Sequence, residues 1–124
     1  MKILSMPAAA GQTRLTDNFS IPVSSTVTKS LGISPKNGSF LANIKISFAT
    51  PTTVSSASFT DCKLTVGGVD YALWGHQTSP TTGNISYVDF QITGSISTSD
   101  IVSITIRNTS GSIVRTCDVE VLIG

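Results

Sequence analysis

The feature that most constrains this chain is a strict alternation of apolar and polar side chains along residues 40–48. Phe40, Ala42, Ile44, Ile46 and Phe48 alternate there with Leu41, Asn43, Lys45 and Ser47. Successive side chains of a β-strand point to opposite faces, so this period of two predicts a strand with one buried face. Weaker versions of the pattern follow at residues 62–66, 86–92, 102–106 and 117–123. Most of the chain is therefore expected to be β-structure.

Turn signals separate these alternating runs. Gly67-Gly68 lies between two apolar runs and predicts a two-residue hairpin, because both positions tolerate positive φ. A second hairpin is predicted at Asn108-Thr109-Ser110-Gly111. The spacing of the runs is typical of sandwiches and barrels. We expect an all-β fold with a single β-sandwich or barrel-like body of about seven or eight mostly antiparallel strands, together with an extended N-terminal arm.

The apolar members of the best alternating runs predict the core. They are Ile44, Ile46, Phe48, Leu64, Phe90, Ile104, Val119 and Val121. The two cysteines, Cys62 and Cys117, share the core-facing parity and could pair if the fold brought them together. The apolar run at the start of the chain stops at Pro7, which makes a poor export signal. We therefore expect two reduced, buried thiols.

Residues 1–18 show no strand alternation and contain Pro7 and Gly11. They are interpreted as an extended arm, and residues 19–124 as the β-sandwich body. The large apolar side chains of this segment, at irregular intervals, are Ile3, Leu4, Met6 and Leu15. Ordering such a segment costs about 1–2 kcal/mol per residue, so partner contacts have to offset that cost. We expect the arm to lie across a neighbouring subunit, with folding back over its own body as the alternative.

The composition argues against several classes of function. Charged residues are 12% of the chain and the net charge is +1, which leaves no basic stripe for nucleic acid. Polarity comes instead from 19 serines and 17 threonines. No run approaches the ~18 apolar residues of a membrane span. His76, the single histidine, is predicted in a loop without a serine elbow or convergent metal ligands. We expect no enzyme activity, cofactor or metal.

A hydroxyl-rich β body together with the arm at residues 1–18 resembles the small capsid decoration, or cement, proteins of tailed bacteriophages. The resemblance implies a non-enzymatic structural protein that binds and stabilises a capsid shell after synthesis in the host cytoplasm. It implies partners among the major capsid protein or other virion subunits, and a homo-oligomer, with a trimer favoured. Partner contacts are expected at Ile3, Leu4, Met6, Leu15, Trp74 and His76.

Two alternatives remain open. A head–tail adaptor or tail protein would share the same traits. A carbohydrate-binding or adhesin-like sandwich would instead use Trp74, Tyr71, Tyr87 and His76 as a sugar platform beside the loop at residues 75–84. Aromatic residues are only 6% of the chain, which makes such a platform sparse. Trp74 itself is either a core residue at a strand end or an exposed anchor.

Overall fold

The computed structural model describes residues 11–124 as a β-sandwich of two antiparallel four-stranded sheets. The strands are β1 (Thr13–Ile21), β2 (Thr26–Ile33), β3 (Gly38–Thr52), β4 (Lys63–Val66), β5 (Val69–Ala72), β6 (Ile85–Ile96), β7 (Ile101–Arg107) and β8 (Arg115–Ile123). Sheet A has the order β1-β8-β3-β6, and sheet B has the order β2-β7-β4-β5. A 3₁₀ turn at Ser56–Phe59 follows β3. The predicted fold class is confirmed.

The core lies between the two sheets, and the alternating runs supply it. All eight predicted core residues are buried, with Ile46, Leu64, Ile104 and Val121 at 0% exposure. The Gly67-Gly68 hairpin is also confirmed: it joins β4 to β5, and both glycines have positive φ. Cys62 and Cys117 are buried free thiols, as predicted.

The prediction that residues 13–18 belong to the arm is wrong, because β1 begins at Thr13. Thr13 pairs with Ile123 and Ile21 with Arg115 along the whole length of β8. Thr13 and Asp17 occupy core-side positions of this edge strand. Because both are polar, they interrupt the apolar alternation, and the sequence pattern does not indicate a strand there. The described part of the body therefore starts earlier than Phe19, and residues 1–10 lie outside the described residues.

The predicted hairpin between β7 and β8 is also wrong, since the two strands belong to different sheets. Buried Asn108 starts the connection between them. Its Nδ2 donates to the carbonyl oxygens of Ile21 (3.1 Å) and Ile113 (2.9 Å). Its backbone N–H donates to the carbonyl oxygen of Ser25 (2.8 Å). These bonds hold the connection that crosses from sheet B to sheet A, whereas a hairpin would have returned the chain to sheet B.

The antiparallel registers give the sandwich two ends, named here after the two ends of β1. The Thr13 end holds the start of β1 and β3 and the end of β8, where the Gly124 N–H donates to the Ser39 carbonyl oxygen at 3.1 Å. The Ile21 end holds the 3₁₀ turn and the connection from β7 to β8. The first and the last described residues therefore lie at the same end of the sandwich.

Arg115 organises the Ile21 end. It is 4% exposed, and its Nη1 donates to the Ser58 carbonyl oxygen at 2.7 Å while its Nη2 donates to Thr109 Oγ1 at 3.1 Å. The guanidinium lies over the rings of Phe48 and Phe59, at 5.4 and 5.5 Å from their centroids. Burial lowers the pKa of this side chain. The 3₁₀ turn is thereby attached to the last strand.

Candidate functional site

The predicted contact residues fall in three places. Ile3, Leu4 and Met6 lie outside the described residues. Leu15 is half-buried in β1, and its Cδ2 lies 3.0 Å from the position that a Cβ at Gly32 would occupy. Gly32 also has a φ of +145°, so this contact needs a residue without a side chain. Leu15 is thus taken up by the packing of β1 on β2 within its own body.

Trp74 and His76 lie near the Ile21 end, away from the start of β1. The Trp74 ring stacks on Phe59 with centroids 5.6 Å apart and an interplanar angle of 15°, and it packs against the core. His76 is exposed, with Nδ1 3.0 Å from the Ala72 carbonyl oxygen. Of the two positions open to Trp74, the core position is the observed one.

The structure does not assemble the aromatic platform. Tyr71 meets Phe40 edge to face at the Thr13 end, with centroids 5.6 Å apart. Tyr87 is on the outer face of sheet A, where Lys45 Nζ lies 4.7 Å from its ring centroid. The Trp74 ring is stacked on the Phe59 ring. These aromatic rings therefore belong to separate parts of the molecule.

A pair of exposed isoleucines marks the Thr13 end. Ile33 of β2 and Ile101 of β7 are direct register partners on the outer face of sheet B, and they are 59% and 55% exposed. Val69, 55% exposed, starts β5 at the same end. Covering these side chains with a partner would remove apolar surface from water, which is favourable. We call Ile33 and Ile101 the isoleucine pair.

The isoleucine pair adjoins the point at which residues 1–10 join the body. Lys36 Nζ donates to the Gly11 carbonyl oxygen, and Lys36 follows Ile33 by three residues. The contact between Leu15 and Gly32 holds this part of β1 beside the end of β2. Gly11, the first described residue, and the exposed isoleucines therefore lie at the same end of the sandwich.

A single inserted residue in β2 hides this pair from the sequence pattern. Counting in twos from Val27 places Ile33 on the core side of β2. The register of β2 on β7 shifts between Ser30 and Gly32, so Leu31 is an extra residue and Ile33 moves to the outer face. The sequence does indicate that Ile101 is exposed. The core side of its strand is formed by Val102, Ile104 and Ile106, so Ile101 is an apolar residue at a position that points outward.

A polar groove of about 780 Å³ crosses the outer face of sheet A. Strand register places two rows of hydrogen-bonding side chains across it, namely Asn18, Asp118, Lys45 and Asp89 in one row and Thr16, Glu120, Asn43 and Gln91 in the next. Gln91 Nε2 donates to Asn43 Oδ1 at 3.1 Å, and Asn18 Nδ2 donates to Asp118. Amides, carboxylates and hydroxyls thus line the groove.

Asp118 and Glu120 share the outer face of sheet A. Glu120 pairs with Arg14, with Nε and Oε2 3.0 Å apart. Lys63 meets Asp70 at 2.9 Å, and Arg107 meets Asp61 at 3.1 Å, both in or next to sheet B. Hydrogen bonds from Lys63 and Thr65 lower the pKa of Asp70.

Residues 11–124 contain no group of three or more His, Cys, Asp or Glu side chains placed to hold a metal ion. Within the same range, no helix has the length and apolar character needed to cross a bilayer.

Comparison with solved structures finds weak likenesses to proteins of different kinds. A family 35 carbohydrate-binding module from Clostridium thermocellum is 12% identical and has a TM-score of 0.44, covering 92% of this chain and 93% of that chain. The capsid of Helicobacter pylori bacteriophage KHP30 gives 9% identity and a TM-score of 0.37, covering 90% and 87%. The cyanophage Pam1 capsid gives 13% identity and a TM-score of 0.36, covering 96% and 92%.

At these TM-scores the likenesses carry no information about function. No family model matches the sequence, and the search of curated proteins found no match. The chain is therefore an all-β sandwich that weakly resembles both phage capsid proteins and carbohydrate-binding modules.

Proposed function

We propose that this chain is a non-enzymatic structural protein of a bacteriophage virion, which binds and stabilises the capsid shell as a decoration protein. The observation that carries the proposal is the exposed isoleucine pair beside the junction with residues 1–10. One end of the sandwich thus carries exposed apolar surface, and the ten residues that precede Gly11 in sequence include Ile3, Leu4 and Met6. Contact with other virion subunits would cover both.

Energetics favour a partner for this segment. Fully burying three such side chains contributes about 1.5–3 kcal/mol each, while fixing the backbone costs about 1–2 kcal/mol per residue. Ten residues therefore need main-chain hydrogen bonds in addition to side-chain burial, and a neighbouring subunit supplies them through its own strand edges or loops. We propose the major capsid protein or other virion subunits as partners, a homo-oligomer as the assembly and the virion as the location.

The test is attachment to particles of the virus that encodes the chain. The full chain is expected to co-sediment with particles in high salt, since apolar contacts are not screened. A variant with Ile3, Leu4 and Met6 changed to Ser is expected to lose attachment. The matched control, with Ala8, Ala9 and Ala10 changed to Ser, keeps the segment length and is expected to attach normally. Full occupancy by the first variant would contradict the proposal.

The groove on sheet A favours carbohydrate binding as a second candidate function. Amides and carboxylates in adjacent rows can bind neighbouring hydroxyls of a sugar, and Tyr87 stands in the next row of the sheet. Changing Asn43 and Gln91 to Ala should then abolish binding on a glycan array. Changing Thr28 and Thr105, a hydroxyl pair 3.0 Å apart on sheet B, is the matched control. Absence of any glycan binding by the full chain would exclude this function.

A further inference from the structure

The groove on sheet A runs across the strands, not along them. Its two walls are the row that contains Glu120 and the row that contains Asp118, about 6.6–6.8 Å apart because they are two residues apart on each strand. The row between the walls points toward the core, and its members Ile44, Phe90 and Val119 are buried. The floor of the groove is therefore backbone, and its walls are side chains.

The two ends of the groove differ. At β6 the loop at residues 75–84 closes it, since Thr78 lines the groove and its N–H donates to the Asp89 carbonyl oxygen at 2.9 Å. At the other end, β1 is the edge strand of sheet A and leaves the groove open within the described residues. Four strands spaced by about 4.8 Å give the groove a length of roughly 14 Å. Its shape suits a slender, linear chain.

An extended peptide finds few partners in this groove. The floor residues Ile44 and Val119 belong to β3 and β8, whose backbone groups pair with strands on both sides. No floor N–H or carbonyl of these strands is left for strand addition. The outward side chains that line the groove are amides, carboxylates, hydroxyls and one amine, so they form no apolar pocket for a peptide side chain.

A linear oligosaccharide matches both the shape and the chemistry. Each unit of an extended β-1,4-linked chain advances by roughly one strand spacing, so about three or four units would cross the sheet. Asn43 and Lys45 face each other across the middle of the groove and can donate to hydroxyls on the two edges of one sugar ring. Gln91 already donates to Asn43 Oδ1, which leaves the amide N–H groups of Asn43 available as donors.

The charge of the walls selects against acidic ligands. Asp89, Asp118 and Glu120 lie on the walls, with Lys45 as the basic residue in the same rows. These carboxylates would repel the carboxylates of uronic acids and the phosphates of nucleic acids. An uncharged sugar chain meets no such repulsion.

We propose that the groove binds a linear, uncharged, β-linked oligosaccharide that lies across the strands of sheet A. This inference rests on the second candidate function, carbohydrate binding, and it identifies the substrate class and its orientation on the sheet. The isoleucine pair is on the other sheet, so a bound sugar would leave it free for virion subunits.

The test is isothermal titration calorimetry of the full chain with β-1,4-linked oligomers, from single sugars to hexamers. The uncharged series are glucose, xylose, mannose and N-acetylglucosamine, and the acidic series is glucuronic acid. At least one uncharged series is expected to bind, with an affinity that rises up to about three or four units and then levels off. Glucuronic acid oligomers should bind at least about tenfold more weakly, and changing Asp89 and Asp118 to Asn should reduce that difference.

Single variants on β3 test the position of the ligand. Asn43→Ala and Lys45→Ala, one in each wall, are each expected to weaken binding by about tenfold. Ser47→Ala is the matched control and should keep the parent affinity, because Ser47 lies on the same face of β3, one row outside the groove. Urea denaturation of the three variants separates a loss of binding from a loss of fold.

The outcomes separate this inference from the functions it is built on. Unchanged affinity in both Asn43→Ala and Lys45→Ala, or equal affinity for acidic and uncharged oligomers, would overturn the inference and leave carbohydrate binding itself standing. Failure of every series would also overturn it, and a negative glycan array would then exclude carbohydrate binding as well. Attachment to virus particles is measured independently, so none of these results decides the decoration function.

Discussion

At the scale of single residues, Arg115 is a buried cation that carbonyl oxygens and aromatic rings hold in place. Its guanidinium donates to the carbonyl oxygens of Ser58 and Arg107 and to the hydroxyl of Thr109. The salt bridges among residues 11–124 involve other cations. Losing this side chain would leave part-buried acceptors without their donor and the space between Phe48 and Phe59 empty.

Arg115→Ala is therefore expected to lower the free energy of unfolding by about 3–5 kcal/mol, from the cavity and the unsatisfied carbonyls together. Arg115→Met should cost less, because it fills the same space and removes a buried charge. Urea denaturation measures both. Arg14→Ala is the control, since its partly exposed ion pair with Glu120 is worth about 1 kcal/mol or less. A loss for Arg115→Ala no larger than for Arg14→Ala would show that the guanidinium is replaceable by solvent.

The two thiols give a second prediction at this scale. Burial raises the pKa of both Cys62 and Cys117, and neighbouring Asp118 adds to the effect at Cys117. Since the thiolate is the reactive form, neither cysteine should be alkylated in the folded protein at pH 8. Unfolding in urea should release two reactive thiols per chain. Mass spectrometry after alkylation reads out both states, and rapid labelling of the native protein would contradict the burial of these side chains.

At the scale of elements, β1 decides where the N-terminal segment can be cut. Residues 13–16 pair with residues 120–123 of β8, and Leu15 packs on Gly32. Residues 1–10 lie before all of these contacts. The strand and the segment before it should therefore respond differently to truncation.

Deleting residues 1–10 is expected to change the melting temperature by less than about 2 °C. Deleting residues 1–16 removes the first four residues of β1 and should cost about 2–4 kcal/mol, a fall of roughly 8–20 °C for a domain near this size. Differential scanning calorimetry of the two truncated chains, against the full chain, makes the comparison. Equal melting temperatures for both truncations would mean that β1 contributes little before Asp17.

The elements also show which parts of this structure local sequence can predict. The alternation in β3 and the Gly67-Gly68 turn are local patterns, and both were predicted. The placement of β8 in the sheet opposite β7 depends on Asn108 reaching Ile21, 87 positions away in sequence, which no local pattern reports. The isoleucine pair depends on one inserted residue, Leu31, because a single-residue shift reverses every side chain after it.

At the scale of the whole molecule, the outer faces of the two sheets differ in charge. Asp89, Asp118 and Glu120 line the groove from the outer face of sheet A, with Lys45 as the basic residue in the same rows. Three of the seven acids of the chain thus gather on one face, although the net charge is +1. The ion pairs of Lys63 and Arg107 neutralise much of the other face.

This asymmetry predicts that the acidic face tolerates mutation without loss of the fold. Changing Asp89 and Asp118 to Asn is expected to leave the free energy of unfolding within about 0.5 kcal/mol of the parent, because carboxylates on the outer face of a sheet contribute little to stability. Urea denaturation measures the change. Asn108→Ala, which strips buried carbonyls of their donor, should cost about 1–3 kcal/mol and serves as the contrasting variant. A larger loss from the double Asp variant than from Asn108→Ala would contradict this distribution of stability.

Because the first and last described residues share the Thr13 end, a displayed peptide is best placed at the opposite, Ile21 end of the sandwich. A cargo fused after Gly124 would crowd the end that holds the isoleucine pair. The loop at residues 75–84 lies away from that end, and Thr82, Gly83 and Asn84 are exposed, with Gly83 at a φ of +73°. An epitope inserted between Thr82 and Gly83 would project from the loop while both chain termini stay free for assembly.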